Sequence, residues 1–183
     1  AGDAQHLATE LMGGMTSHER KPIPSIALTT DSSFLTAWSN DTDFESVFSR
    51  QVQGLGKEGD VLVGISTSGN SKNVIAAINQ AKYKGLKTVV FTGKFGGMIN
   101  NKADVTINVP SDDTQRIQEG HIMTGQIICG LIEDDFPALL DDTPYIQVVG
   151  VAQLIASDEC GAEHCAAIKD LRLGKIQRIF TLN

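Results

Sequence analysis

The chain has 183 residues, 41% hydrophobic and 20% charged, with a net charge of −7, which is enough for one buried core and too little for two comfortable ones. No cluster of Lys and Arg offers the electrostatic footprint that a nucleic acid needs, so that class of partner is set aside. No apolar run approaches the ~20 residues that cross a bilayer, and the N-terminus lacks the basic flank and apolar run of a signal peptide, so no membrane partner and a cytoplasmic location are expected.

Along the chain, Ala4, Leu7, Ala8, Leu11, Met12 and Met15 fall on one helical stripe that ends at Gly13-Gly14 or just beyond. Ser25 to Thr29 follows two prolines and predicts a short buried strand, and Phe44 to Leu55 predicts an amphipathic helix. Val61 to Ile65 is continuously apolar, as in a parallel strand covered on both faces. A helix is predicted from about Lys72 to Lys84, striped by Val74, Ala77, Ile78 and Ala81 and stopped by Gly85. Lys87 to Phe91 and Asp104 to Val109 predict two more strands, and Arg116 to Glu133 a helix apolar around much of its circumference. Such a helix belongs in a bundle or an interface.

Strands alternating with helices define an α/β class, a three-layer α/β/α sandwich on a parallel sheet. After Asp135 the character changes. Pro137, Asp141-Asp142 and Pro144 read as a linker, followed by a β-like run, a helix over 162–173 and a weak strand over 176–182. The expected division is a domain over 1–135 and an atypical extension over 136–183. Cys129, Cys160 and Cys165 are odd in number and lack zinc-like spacing, so reduced thiols are expected. Cys160, His164 and Cys165 form one isolated cluster without a second pair, for which helix packing is the plainer reading.

The strongest chemical signal is Gly64-Ile65-Ser66-Thr67-Ser68-Gly69-Asn70-Ser71, between a buried strand and a helix. Glycine permits close backbone approach, the helix start presents amides and positive dipole, and the hydroxyls add neutral donors around a dianion. A helix cap needs one such residue, and four hydroxyls in six positions exceed that need. The lysine of a nucleotide-hydrolysing P-loop is missing. Thr92 to Gly97 either lines the same crevice or is a plain turn. His6 and Glu10, four apart on a helix and opposite its stripe, can reach one ion or one substrate, or stand as a solvated pair. Moving a proton between adjacent carbons of a sugar needs a base held away from water, and Glu10 is the candidate.

Beyond the cradle, Ala4-Gln5-His6, Ile26-Ala27-Leu28-Thr29, Asn40-Asp41, Gly59-Asp60-Val61-Leu62, Thr92-Gly93-Lys94 and Arg116-Ile117-Gln118-Glu119 stand in an order and spacing that resemble the phosphoheptose isomerases of the sugar-isomerase (SIS) domain family, over about residues 1–135. The resemblance implies conversion of sedoheptulose 7-phosphate into a manno-heptose 7-phosphate, a step toward the heptose of lipopolysaccharide, by a homotetramer with shared sites. It further implies that Ser66, Thr67, Ser68 and Ser71 hold the phosphate, that Asn40, Asp41 and Gln118 contact the sugar, and that His6, Glu10 and Gln118 bind zinc. Where the family carries a histidine that is both zinc ligand and proton-transfer partner, this chain has Gln126, an amide that does not titrate near neutral pH. His121 is an alternative proton carrier or a packed helix histidine.

The family also places helices, a strand and an Asn-Gly-Gly-Ser loop ahead of the segment beginning here at Ala1. Either the chain is a trimmed version or its tail supplies replacements, since Gly174 to Asn183 resembles that strand. The competing function is a non-catalytic, regulatory phosphosugar-binding module, which Gln126 favours.

Overall fold

The apolar run Val61–Ile65 forms a fully covered strand because helices close both faces of its sheet. In this computed structural model, which describes residues 1–135 and 179–182, the order is α1 (Gly2–Gly13), β1 (Ser25–Ala27), α2 (Ser32–Asp41), α3 (Val47–Leu55), β2 (Val61–Ile65), α4 (Lys72–Tyr83), β3 (Lys87–Gly93), a 3-10 turn (Gly97–Ile99), β4 (Val105–Val109), α5 (Thr114–Asp135) and β5 (Ile179–Leu182). The sheet runs β1-β5-β2-β3-β4. Every neighbouring pair is parallel.

Alternation along the strands divides the core in two. Leu62 and Val90 meet Val74, Ala77, Ile78 and Ala81 of α4 and Val47, Phe48 and Val52 of α3. On the opposite face, Val61, Ile65 and Phe91 meet Leu7 and Leu11 of α1 and Cys129 and Ile132 of α5. This is the three-layer α/β arrangement expected from the alternation of elements. Among the described residues no helix is long and apolar enough to cross a membrane.

Three elements differ from the sequence reading. Helix α2 was not anticipated: Asp31 caps it by accepting from the Phe34 amide at 2.9 Å, yet none of its residues is fully buried. Its only apolar signal is Phe34, Leu35 and Trp38, which pack against the core from the rim. Helix α3 begins at Val47 rather than Phe44, because the Asp43 carboxylate accepts from the Ser46 amide and holds the intervening residues in a turn. The tail strand, expected over 176–182, is present at Ile179–Leu182 and lies inside the sheet, with Ile179 in register with both Ser25 and Val61.

That placement gives α1 a familiar setting. Its carboxyl end leads into the start of β1, so its amino end lies at the sheet's carboxyl edge, where β5 also ends. In space, β5, α1 and β1 follow one another as strand, crossover helix and strand. The linker, the helix over 162–173 and the Cys160–Cys165 cluster lie outside the described residues.

Candidate active site

Open α/β sheets gather ligands at the carboxyl edge of their strands, and here Ser66–Ser71 turns between β2 and α4 at that edge. The Ser66 amide donates to the Phe91 carbonyl at 2.9 Å, and the Gly69 amide to the Ser66 carbonyl at 3.0 Å. Gly69 has φ 64°, and a Cβ there would stand 1.9 Å from the Gly96 carbonyl oxygen, so glycine alone fits. The second loop is stitched to the first. Gly93 donates to the Thr67 carbonyl at 3.1 Å, Ile99 to the Gly69 carbonyl at 2.9 Å, and Met98 to Asn70 Oδ1 at 2.9 Å.

Ser66, only 3% exposed, pairs its Oγ with that of Ser71 at 2.8 Å. Ser71 occupies the N-cap of α4 but makes no side-chain capping bond. A serine present only to cap would turn its hydroxyl onto the helix amides; this one turns toward Ser66. Thr67 is half-buried, Ser68 is exposed, and the Ser68 Oγ accepts from the Asn70 amide at 3.2 Å. Two paired hydroxyls beside the positive end of a helix are donors of the kind that suit a phosphate dianion.

The second half of the site is the seam between α1 and α5. Leu7 faces Gly125, Met15 faces Gly130, and residues 15–17 meet Glu133, so the two helices run side by side in one direction. At Gly125 a Cβ would approach the Leu7 Cδ2 to 2.6 Å, and the missing side chain is the notch that lets the helices close. Across the seam, His6 Nε2 lies 3.0 Å from Glu10 Oε1 and 3.2 Å from Gln126 Nε2. One ring nitrogen cannot both donate to a carboxylate and accept from an amide N–H. Turned the other way, the Gln126 amide presents its oxygen, and the Nε2 hydrogen is then shared between that oxygen and the Glu10 carboxylate.

Among the described residues no three His, Cys, Asp or Glu side chains gather as a metal site, so a centre here has to include amide oxygen. An imidazole nitrogen and a carboxylate oxygen are donors that zinc prefers and an amide oxygen is a weaker third, so the residues present fit a loosely held metal. Gln118 is exposed on α5, about two turns from Gln126 toward the helix start. Asn40 and Asp41 are exposed at the end of α2 and bonded to one another at 2.9 Å, Nδ2 to Oδ1.

His121 belongs to the core. It is 1% exposed, its Nε2 lies 3.1 Å from the Thr92 carbonyl, and its ring tilts against Phe91. Burial lowers its pKa, opposed by the Thr92 bond and Asp3. Cys129 is likewise inert, its thiol pushed up to about 12 by burial first and by Glu10 next. Two residues that sequence reasoning did not single out, Arg20 and Glu133, close the far end of the seam. No local spacing marks them, since the partners meet only when the helices dock.

The parallel α/β sheet carries a serine-rich loop at its carboxyl edge, and the SIS domain family matches residues 1–93. The chain is 55% identical to the phosphoheptose isomerase of Sulfurimonas denitrificans over 135 residues, covering 74% of this chain and 69% of that protein. It is 54% identical to the phosphoheptose isomerase of a Nitratiruptor species over 136 residues, covering 74% and 72%. The solved phosphoheptose isomerase of Neisseria gonorrhoeae superposes with a TM-score of 0.65 at 45% identity, covering 73% of this chain and 70% of that one. The chain belongs to the phosphoheptose isomerase family of SIS domain proteins.

Proposed function

We propose that this protein interconverts sedoheptulose 7-phosphate and D-glycero-D-manno-heptose 7-phosphate through an enediol, with Glu10 as the base. The observation that carries this reading is the facing set of Glu10, His6 and Gln126 on the α1–α5 seam, in a chain that also carries the cradle. Ser66, Thr67, Ser68 and Ser71 hold the phosphate, and Asn40, Asp41 and Gln118 contact the sugar. Glu10 takes the proton from C1 of the ketose, the electron pair passes into the C1–C2 bond, and the carbonyl oxygen at C2 gains a proton. Returning a proton to C2 while the C1 hydroxyl loses its own gives the aldose, so atoms and charge balance. His6, bonded to Glu10 Oε1, orients the carboxylate and leaves Oε2 for the substrate. Were zinc bound, His6, Glu10, Gln126 and Gln118 would hold it in place of the direct His6–Glu10 contact, and it would supply an electrophile for the sugar oxygens.

Assembly as a homotetramer belongs to the same reading. Met123 is 59% exposed and Ile127 and Leu131 are half-buried on the flank of α5 that the sheet leaves uncovered.

Gln126 favours a second reading, a phosphosugar-binding module without turnover, because an amide neither takes nor gives a proton at neutral pH. An interconversion assay over C5 to C7 sugar phosphates, run beside calorimetric titration of the same compounds, separates the two. Turnover of the heptose phosphate supports the enzyme, binding without turnover supports the module, and equal affinity for unphosphorylated sugars removes the cradle from both.

A further inference from the structure

Glu133 lies in the last turns of α5 with a side chain 5% exposed, near the carboxyl ends of two helices. That is a poor place for a negative charge, since both dipoles oppose it. Its oxygens are nonetheless saturated. Oε2 accepts from the Met15 amide at 2.7 Å and from Arg20 Nε at 2.9 Å; Oε1 accepts from the Thr16 amide at 2.7 Å, the Ser17 amide at 2.8 Å and the Thr16 hydroxyl. Three successive backbone amides, a hydroxyl and a guanidinium thus converge on one carboxylate. Arg20 continues the chain of contacts, its Nη2 donating to the carbonyl of Glu10 at 2.7 Å and its Nη1 to that of Lys21 at 3.0 Å.

The geometry points to Glu133 as a positioning residue for the reaction: through Arg20 and residues 15–17 it sets the axial register of α1 on α5, and so holds His6 and Glu10 opposite Gln126. It stands seven residues from Gln126, about 10 Å along the helix, and touches no reacting group. Its partners are residues 15–17, just after α1, and Arg20, which in turn reaches the backbone of Glu10. The Leu7–Gly125 notch fixes how closely the helices approach, whereas the clamp fixes how far one can slide along the other. A slide of about 1 Å is enough to cost two orders of magnitude in a positioned reaction. The assignment rests on the proposed isomerase reading where turnover is concerned, and on the seam alone where His6 is concerned.

The test compares wild type with Glu133→Gln and with the milder Arg20→Lys, which keeps the charge but loses the fork that reaches Glu10. Two readouts are taken on the full chain: kcat and KM for sedoheptulose 7-phosphate, and the imidazole ¹⁵N resonances of His6, assigned by their loss in His6→Gln. Glu133→Gln is expected to shift the His6 resonances and lower kcat about tenfold or more, with KM and affinity for inorganic phosphate within about twofold of wild type because the cradle lies on other elements. Arg20→Lys is expected to do the same to a lesser degree, and it carries the test if Glu133→Gln does not fold. Unmoved His6 resonances and unchanged kcat in a variant that only melts earlier would overturn the assignment. Failure of wild type to turn over any sugar phosphate counts against the isomerase reading, while the His6 resonances still decide the clamp.

Discussion

The cradle and the α1–α5 seam, the two halves of the site, are built in opposite ways. The cradle is one contiguous loop shaped by backbone bonds within it and to the adjacent strand: Gly69 turns it, Phe91 and Gly93 of β3 anchor it, and Ser66 and Ser71 pair within it. The seam brings together His6 and Gln126, which are far apart in sequence, and depends on how two helices dock. A loop of this kind depends on near neighbours, the strand β3 and the turn after it, and tolerates change in the helices α1 and α5. The seam inherits every error of packing. Binding of a phosphate should therefore survive insults that abolish chemistry, and Gln126 lies on the fragile side only.

The largest expected effect is on the seam. Glu10→Gln should lower kcat by ~10² to 10⁴, the range typical of a general base, while calorimetry finds sugar-phosphate affinity little changed. If both fall together, the two halves are not separable.

Next in size is a break in the cradle. Gly69→Ala places a methyl against the Gly96 carbonyl at a φ that disfavours it, and titration should show affinity for sugar phosphate down by about 10²-fold or more. The milder Ser66→Ala removes one hydroxyl from the Ser66–Ser71 pair. It should cost ~1.5 to 3 kcal/mol of binding if that hydroxyl meets a charged oxygen, with no change for the unphosphorylated sugar.

Repairing the fragile half is a sharper test than damaging it. Gln126→His places a titrating group beside His6 and Glu10, and should raise zinc affinity and kcat together, the latter by about tenfold or more. A wild type that already turns over rapidly, with no gain in the variant, would show that another group carries the second proton transfer. His121 is badly placed for it.

The smallest expected effect concerns acid stability. Burial alone would raise the Glu133 pKa, but the Thr16 hydroxyl, the Met15 amide, Arg20 and the Thr16 amide hold it far below the ordinary carboxylate range. The folded value is depressed, so this stabilisation is fully present above the unfolded value of about 4.3 and is lost as pH falls from there toward the folded value. Urea midpoints measured from pH 7 down to pH 3 should decline more steeply in wild type than in Glu133→Gln.

What the sequence disclosed follows the same division. Val61–Ile65, the stripe on α4 and the cradle were legible because each is a local pattern: a buried run, a 3.6-residue period, hydroxyls at a helix start. The pairing of His6 with Glu10 was also local, four residues apart on one helix. Helix α2 escaped because only Phe34, Leu35 and Trp38 mark it and none becomes fully buried. The Gly125 notch and the Glu133 clamp could not be read at all, since a glycine or a glutamate in a helix declares no partner until another helix arrives.

The position of β5 bears on the order in which the molecule assembles. Strands β2, β3 and β4 are successive in the chain and neighbours in the sheet, so they can pair through short crossovers as soon as they are made. Among the described residues, strand β1, made before them, pairs only with β5, which follows in the chain every strand it binds. Closing so long a loop is slow relative to local pairing. Until it happens β2 exposes a row of unpaired backbone groups on one side, an edge that another copy of the chain can occupy. Refolding yield should accordingly fall as protein concentration rises, and the losses should be set during the interval before the last strand is inserted.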